Sequence, residues 1–243
     1  MDAHIIPRSF FKVTRGKGKH SVLLTVDEKK LGKKFKQAGV SDKTILCEQC
    51  ERLFTPYDQH GFEAVIEMLK SKQEFRDAFG NSCAYIATKA DYNLFKLFIL
   101  SVLWRASVSN IEFYECIELG IHEERIQEML ANNNSGGEND YPIICFHQTG
   151  QHYPSTVLQS FQQRIEGVNY YRLYLPHSLI FLIKVDLRPS PSSLLSGIMK
   201  PNFPIHFLLC PYFGSPEMEY VEAAKVLTKK HLRIPLRTTY RKF

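Results

Sequence analysis

The strongest constraint on the fold is an apolar run from Leu94 to Trp104, which contains only one charged side chain, Lys96. A membrane-spanning helix needs about 20 apolar residues, and this run is much shorter. With its flanks it predicts a helix from Asp91 to Ala106, with Asp91 as the N-cap. Because this helix is apolar nearly all round, it must be covered on all sides. The sequence therefore predicts a layered globular protein with this helix in its core.

The rest of the chain predicts helices first and a sheet later. Helical periodicity is present at residues 61–70 and 122–131, and a polar loop follows at residues 132–137. Segments rich in aromatic and β-branched residues then predict strands at 141–146, 170–175, 179–185 and 205–210, with short helices at 157–165 and 216–229. The near-continuous apolar character of these strands indicates a sheet that is covered, at least in part, on both faces. The fold class is therefore α+β, with a C-terminal mixed or antiparallel sheet region.

Charge is distributed unevenly along the chain. Residues 1–46 carry eleven basic and four acidic side chains, and residues 225–243 carry seven basic and none that is acidic. The net charge of the whole chain is only +6, so the body between these ends is acidic. Basic ends can bind the phosphates of nucleic acid. They can equally be solvated surface or pair with the acidic body, and the sequence leaves both interpretations open.

Two short motifs carry the chemistry of the N-terminal region. One is His4-Ile5-Ile6-Pro7, and the other is Cys47-Glu48-Gln49-Cys50, which Ile45-Leu46 precedes and Glu51 follows. A pair of cysteines at this spacing can bind one metal ion, but tetrahedral zinc needs two further ligands. A redox pair or a metal-free turn would have the same spacing. The other four cysteines are scattered and are predicted to be core residues.

Together the two motifs resemble the HNH endonuclease superfamily, whose ββα-metal finger combines a His-Ile-x-Pro strand with a Leu-Cys-x-x-Cys turn and a helix. The resemblance implies a small N-terminal ββα or treble-clef-like finger with His4 as the general base. It also implies a structural zinc and a divalent cation, Mg²⁺ or Mn²⁺, at the scissile phosphate. Residues 3–145 resemble a group of uncharacterised bacterial HNH-like proteins, partly through Leu97–Ser107 and Leu119–Glu124.

The sequence departs from the family pattern at the positions that hold metal. The first Cys-x-x-Cys pair is absent, and Ala3 stands where an aspartate would hold the cation. Asp42 lies near the position of the family's loop asparagine, and Glu51 replaces the histidine or asparagine that follows the second cysteine. Both carboxylates could bind a divalent cation, in an altered arrangement. A base without a firmly held cation loses most of the charge stabilisation that phosphodiester cleavage needs.

Replacement zinc ligands are present in the sequence. Cys47, Cys50, His60 and either His20 or His4 could form a Cys₂His₂ site. His60 and His20 could also be ordinary surface residues, and His4 a buried structural one. The basic residues predicted to contact nucleic acid are Arg8, Lys12, Arg15, Lys17 and Lys19.

These observations divide the chain into a finger at residues 1–60 and an α+β body at residues 61–243. The body is predicted to be helical at 61–131 and sheet-rich at 141–215, with a C-terminal helix and basic tail at 216–243. The predicted function is binding of nucleic acid, or of a protein that handles it, with little or no cleavage, in a prophage or anti-phage setting. An active metal-dependent DNA endonuclease and a protein-interaction module with a remnant finger are the alternatives. The N-terminus lacks the apolar stretch of a signal peptide, so a cytoplasmic protein without a membrane partner is expected.

Overall fold

A computed structural model of the chain describes residues 3–13, 21–24, 33–36, 41–150, 156–219 and 221. Its α-helices are α1 (Arg8–Val13), α2 (Glu48–Ser71), α3 (Tyr92–Ser107) and α4 (Glu123–Ala131). The first six strands are β1 (Ala3–His4), β2 (Ser21–Leu24), β3 (Lys33–Lys36), β4 (Ser41–Asp42), β5 (Glu74–Arg76) and β6 (Ser82–Ala87). The other six are β7 (Ile143–Thr149), β8 (Thr156–Leu158), β9 (Phe161–Ile165), β10 (Val168–Leu175), β11 (Leu179–Lys184) and β12 (Ile205–Pro211). Short 3₁₀ helices lie at Glu112–Tyr114, Gly120–His122 and Ser192–Gly197.

The centre of the molecule is a seven-stranded mixed sheet with the strand order β5-β6-β12-β7-β11-β10-β9. Only the β12–β7 pair is parallel, and the other neighbours in this sheet are antiparallel. Two smaller sheets accompany it: the antiparallel pair β1–β4 and a three-stranded sheet of order β3-β2-β8. The α+β class and the mixed sheet are confirmed.

Helix α3 is buried along nearly its whole length, as its composition predicts. The side chain of Asp91 caps it by accepting a hydrogen bond from the Leu94 backbone N–H at 2.8 Å. All residues from 95 to 106 are buried. Helices α2 and α4 pack against α3, and the aromatic rings of Phe95 and Phe207 meet edge-on between α3 and β12. The core therefore lies between the helical layer and the large sheet.

The opposite face of the sheet carries a second and smaller cluster of buried side chains. Its members come from strands β7, β10 and β11 and from the C-cap of the 3₁₀ helix Ser192–Gly197: Ile144, Val168, Tyr170, Leu182 and Ile198. Apolar side chains thus cover part of both faces, in agreement with the continuous apolar character of these strands.

The structure differs from the predicted organisation in three places. The segment predicted to be helical, 61–131, also contains the hairpin of β5 and β6. The segment 157–165 forms strands β8 and β9 in place of the predicted short helix. The predicted domain boundary between residues 60 and 61 falls inside α2, and β2 pairs in parallel with β8 of the body. One continuous core cluster joins Ile5 and Phe10 to the interior of the body.

Two further predictions concern regions that the structure describes only in part. Residues 216–219 are helical, at the start of the predicted C-terminal helix, and the basic tail lies outside the described residues. Among the described helices, none combines the length and the apolarity that crossing a membrane requires.

Lys96 is a charged side chain that α3 carries into the core, where it is 1% exposed. Its Nζ donates hydrogen bonds to the backbone carbonyl of Gly137 at 2.6 Å and to the Tyr92 hydroxyl at 3.1 Å. Burial lowers the pKa of Lys96 to about 8, against the opposing effect of Asp140. The ammonium therefore fixes the 132–140 loop to the helix at an energetic cost.

This cost predicts an unusual dependence of stability on pH. The unfolded lysine keeps a pKa near 10.4, so between pH 8 and pH 10 the unfolded state binds more protons than the folded state. Stability contributed by this site then increases with pH. Between pH 7.5 and 9.5, wild type should gain about 2 kcal/mol of unfolding free energy relative to Lys96→Met. Urea denaturation of both proteins at the two pH values measures this difference, and parallel pH profiles would contradict it.

Candidate functional site

The histidine of the first motif lies on the short antiparallel pair of β1 and β4. Ala3 is opposite Asp42, and His4 is opposite Ser41. Residues that lie directly opposite each other share one face of a strand pair, and successive residues alternate between faces. Ala3 and Asp42 are buried, whereas His4 and Ser41 are half-buried. His4 and Asp42 therefore project to opposite faces of the pair.

Asp42 is committed to hydrogen bonds within the protein. Its Oδ1 accepts from the backbone N–H of Thr44 at 2.9 Å and from the Thr44 hydroxyl at 2.7 Å. Its Oδ2 accepts from the Ser109 hydroxyl at 3.1 Å and from the Asn110 backbone N–H at 3.3 Å. These bonds, that from the Thr44 hydroxyl foremost, lower the pKa of Asp42. Four donors occupy the lone pairs of this carboxylate, so it ties β4 to the segment after α3 and has little capacity left for a cation.

The two cysteines of the second motif lie at the beginning of α2, where both side chains are exposed. Cys47 is the N-cap, and its Sγ accepts from the backbone N–H of Cys50 at 3.4 Å. The sulfur atoms are 3.2 Å apart. Hydrogen bonds from the backbone and the thiol of Cys50 lower the pKa of Cys47, and the same contact between the side chains raises that of Cys50. The pair is accessible and faces solvent at a helix terminus.

The described residues do not complete a zinc site around these cysteines. His60 lies ten residues after Cys50 in α2, so it is displaced along the helix axis by about 15 Å. Its Nε2 accepts from the backbone N–H of Asp91 at 2.8 Å, which gives it a structural role at the start of α3. Among the described residues, no group of three or more His, Cys, Asp or Glu side chains could hold a metal ion. His20 lies outside them. Two thiolates are half of a structural zinc site, so the described donor set does not fit this metal.

Glu51 is the position at which the resemblance places a cation ligand. Its side chain is half-buried, and within the described structure its buried Oε2 accepts no hydrogen bond. The structure does not gather it with Asp42 and His4 into a group that could hold a cation.

A buried ion pair between Arg105 and Asp58, which the sequence analysis did not predict, holds the backbone at His4. Arg105 in α3 is 2% exposed and binds Asp58 of α2 with both ends of its guanidinium, at 2.6 and 2.9 Å. The same Nη1 donates to the backbone carbonyl of His4 at 2.8 Å. Burial raises the pKa of Asp58, and Arg105 and His4 oppose that shift. An arginine is almost never fully buried unless it is paired. Arg105 at the end of the apolar run was therefore the sequence signal that a buried carboxylate lies nearby.

The basic residues predicted to contact nucleic acid are only partly described. Arg8 is exposed on α1. Lys12 lies in the same helix, but its side chain is outside the described set, as are Arg15, Lys17 and Lys19. The unit formed by β1, β4 and α2 has the order of elements that the resemblance implies, and its identity as an HNH finger stays a prediction.

Comparison with known proteins adds no relative, because no protein-family model, no curated protein and no solved structure matches this chain.

Proposed function

We propose that this protein binds nucleic acid without cleaving it, on a scaffold derived from an HNH finger. The observation that supports this most directly is the hydrogen bonding of Asp42, whose two oxygens accept four bonds on the face opposite His4. A carboxylate in that state has little capacity left to hold a cation beside the candidate base. Ala3, buried on the same face, offers no substitute ligand.

The charge of the N-terminal region supports the binding half of the proposal. Residues 1–46 hold eleven basic side chains, and Arg8 of α1 is exposed. Lysine and arginine side chains bind phosphates and release counterions, so the affinity would fall steeply with salt. A DNA-binding protein of this kind would act in the cytoplasm, and a nuclease scaffold that binds without cutting suits competition with phage or prophage DNA.

The test is a titration of fluorescently labelled double- and single-stranded DNA with the full chain over a series of salt concentrations. We expect the logarithm of the binding constant to fall linearly with the logarithm of the salt concentration. The slope of this line should be smaller by about 2 in the double variant Arg8→Glu, Lys12→Glu. The matched control reverses two exposed lysines elsewhere, Lys89 and Lys200, and should leave the slope unchanged. Absence of binding to either DNA at low salt would contradict the proposal.

A plasmid-nicking assay decides between binding and cleavage. Supercoiled plasmid is incubated with Mg²⁺ or Mn²⁺ and either wild type or His4→Ala, and we expect no nicking by either. Nicking by wild type that His4→Ala lacks would establish the alternative, an active endonuclease with His4 as the base. Equal nicking by both would reject the assignment of His4 as the base.

A further inference from the structure

Cys47 and Cys50 are a pair of nucleophilic side chains that the proposed function does not use. Both are exposed, and their sulfur atoms lie 3.2 Å apart at the beginning of α2. The two sulfur atoms of a disulfide are separated by about 2.05 Å. The thiols are therefore already in contact, and a small movement of the side chains would allow a bond between them.

The backbone at the beginning of α2 allows this movement. Cys47 is the N-cap residue and has an extended conformation, with φ at −79° and ψ at 166°, so it precedes the first helical turn. Its carbonyl accepts a hydrogen bond from the backbone N–H of Glu51 at 3.0 Å, and this bond does not involve the sulfur. Cys50 lies in the first turn, three residues later, and side chains at this spacing are neighbours on a helix. The pair can therefore close without a change in the helix.

Cys47 is the better placed of the two to act as the nucleophile. The thiolate, not the thiol, attacks a disulfide, and a helix N-terminus stabilises a thiolate. The Sγ of Cys47 accepts a hydrogen bond from the backbone N–H of Cys50 at 3.4 Å. Glu48 and Glu51 in the same turn oppose this effect, but Arg52 offsets part of their charge through its ion pair with Glu48 at 2.7 Å. Cys50 is then the second thiol, in contact with the first.

An exposed cysteine pair can hold a metal ion, undergo a redox reaction or have no chemistry of its own. A metal site lacks ligands here, because no group of three or more His, Cys, Asp or Glu side chains in the described part of the chain could hold a metal ion. An exposed thiolate beside a second thiol is the arrangement of redox-active cysteines. We propose that Cys47 and Cys50 are a redox-active dithiol whose reaction partner is a low-molecular-weight disulfide.

The reaction is a thiol–disulfide exchange in two steps. The Cys47 thiolate attacks one sulfur of the small disulfide, forms a mixed disulfide and releases the first small thiolate. Cys50 then loses its proton to solvent, and its sulfur attacks the Sγ of Cys47, breaks the mixed disulfide and releases the second small thiolate. The dithiol is oxidised by two electrons, the small disulfide is reduced to two thiols, and the protons of the dithiol pass through solvent to these products. An excess of the small thiol reverses the reaction.

Mass spectrometry of the reduced full chain after reaction with glutathione disulfide, quenched with an alkylating agent, tests the proposal. We expect wild type to form a disulfide between Cys47 and Cys50 without accumulating a mixed disulfide. In Cys50→Ser the reaction should stop at the mixed disulfide on Cys47, because the second thiol is absent. That mixed disulfide should form at least about tenfold faster than the one at Cys116. Cys116 is a suitable reference because it is exposed, although the sequence predicts it in the core.

Two further variants and a metal analysis complete the test. Cys116→Ser should leave the rate of disulfide formation in the pair unchanged. Cys47→Ser should react more slowly at Cys50, and it keeps the beginning of α2 because serine is a favourable N-cap residue. A wild-type protein that stays at the mixed disulfide, or a rate at Cys47 no higher than at Cys116, would overturn the proposal. Stoichiometric zinc in the purified protein that Cys47→Ser loses would also overturn it. None of these outcomes depends on nucleic-acid binding.

Discussion

The free energy of unfolding of the Arg105→Met variant is expected to be about 3–5 kcal/mol lower than that of wild type. Methionine would leave the Asp58 carboxylate without its bidentate partner and the His4 carbonyl without its donor. It would also remove the contact between the guanidinium and the Phe54 ring, whose centroid is 5.5 Å away. Because Arg105 is 2% exposed, water cannot replace these bonds without opening the interface between α2 and α3. Chemical denaturation measures the loss.

Two further proteins test the cause of that loss. Arg125→Met removes an ion pair with Asp140 whose side chains are 55% and 37% exposed, and should cost less than about 1 kcal/mol. The double variant Asp58→Leu, Arg105→Met removes both buried charges and should be more stable than Arg105→Met alone. Equal losses of unfolding free energy in Arg105→Met and Arg125→Met would show that burial does not strengthen the Arg105–Asp58 pair. A double variant no more stable than Arg105→Met would show that the unpaired Asp58 carboxylate is not the cause of the loss.

The Gly61→Ala variant is expected to lose about 2–3 kcal/mol of unfolding free energy. The loss is expected although alanine stabilises a helix by about 1 kcal/mol relative to glycine. A Cβ at position 61 would lie 2.2, 2.3 and 2.7 Å from three atoms of the Phe98 ring. That ring is fully buried and stacks on Phe10 at a centroid distance of 5.4 Å, so it cannot move away without displacing α1. Thermal and urea unfolding should both show the destabilisation.

A compensating substitution makes this prediction specific. Phe98→Ala removes Cγ, Cδ1 and Cδ2, the three ring atoms that the new Cβ would meet, so Gly61→Ala should cost less in the Phe98→Ala background than in wild type. A Gly61→Ala protein that is more stable than wild type would show that helix propensity dominates and that the helices do not approach this closely.

The elements with strong local signals could be predicted from the sequence. The continuous apolar stretch and the N-cap Asp91 define α3, and the β-branched and aromatic segments define β7, β10, β11 and β12. The segment 157–165 was predicted to be helical, but it forms β8 and β9 because β8 pairs with β2 and β9 with β10. Partners that lie far away in sequence leave no local signal, and the same holds for β6, which pairs with β12 near the other end of the described chain.

The candidate sites show the same limit. His4, Cys47 and Cys50 could be identified from their motifs, but the face on which Asp42 lies is set by its register with Ala3, which the sequence does not contain. The partners Asp58 and Arg105 are 47 residues apart. His147 of β7 and His177 of the β10–β11 turn lie 30 residues apart, and the fold brings both to a cavity at the end of α2.

Strand β12 has a consequence for how the chain reaches its native state. It lies between β6 and β7 in the large sheet, although every other strand of the described residues precedes it in sequence. Until residue 211 has left the ribosome, β6 and β7 cannot be joined, and each exposes an unpaired edge that can pair with another chain. Contacts this distant in sequence slow folding. The sheet therefore closes only after β12 has been synthesised, and chaperones that shield strand edges would have their largest effect on the nascent chain before that point.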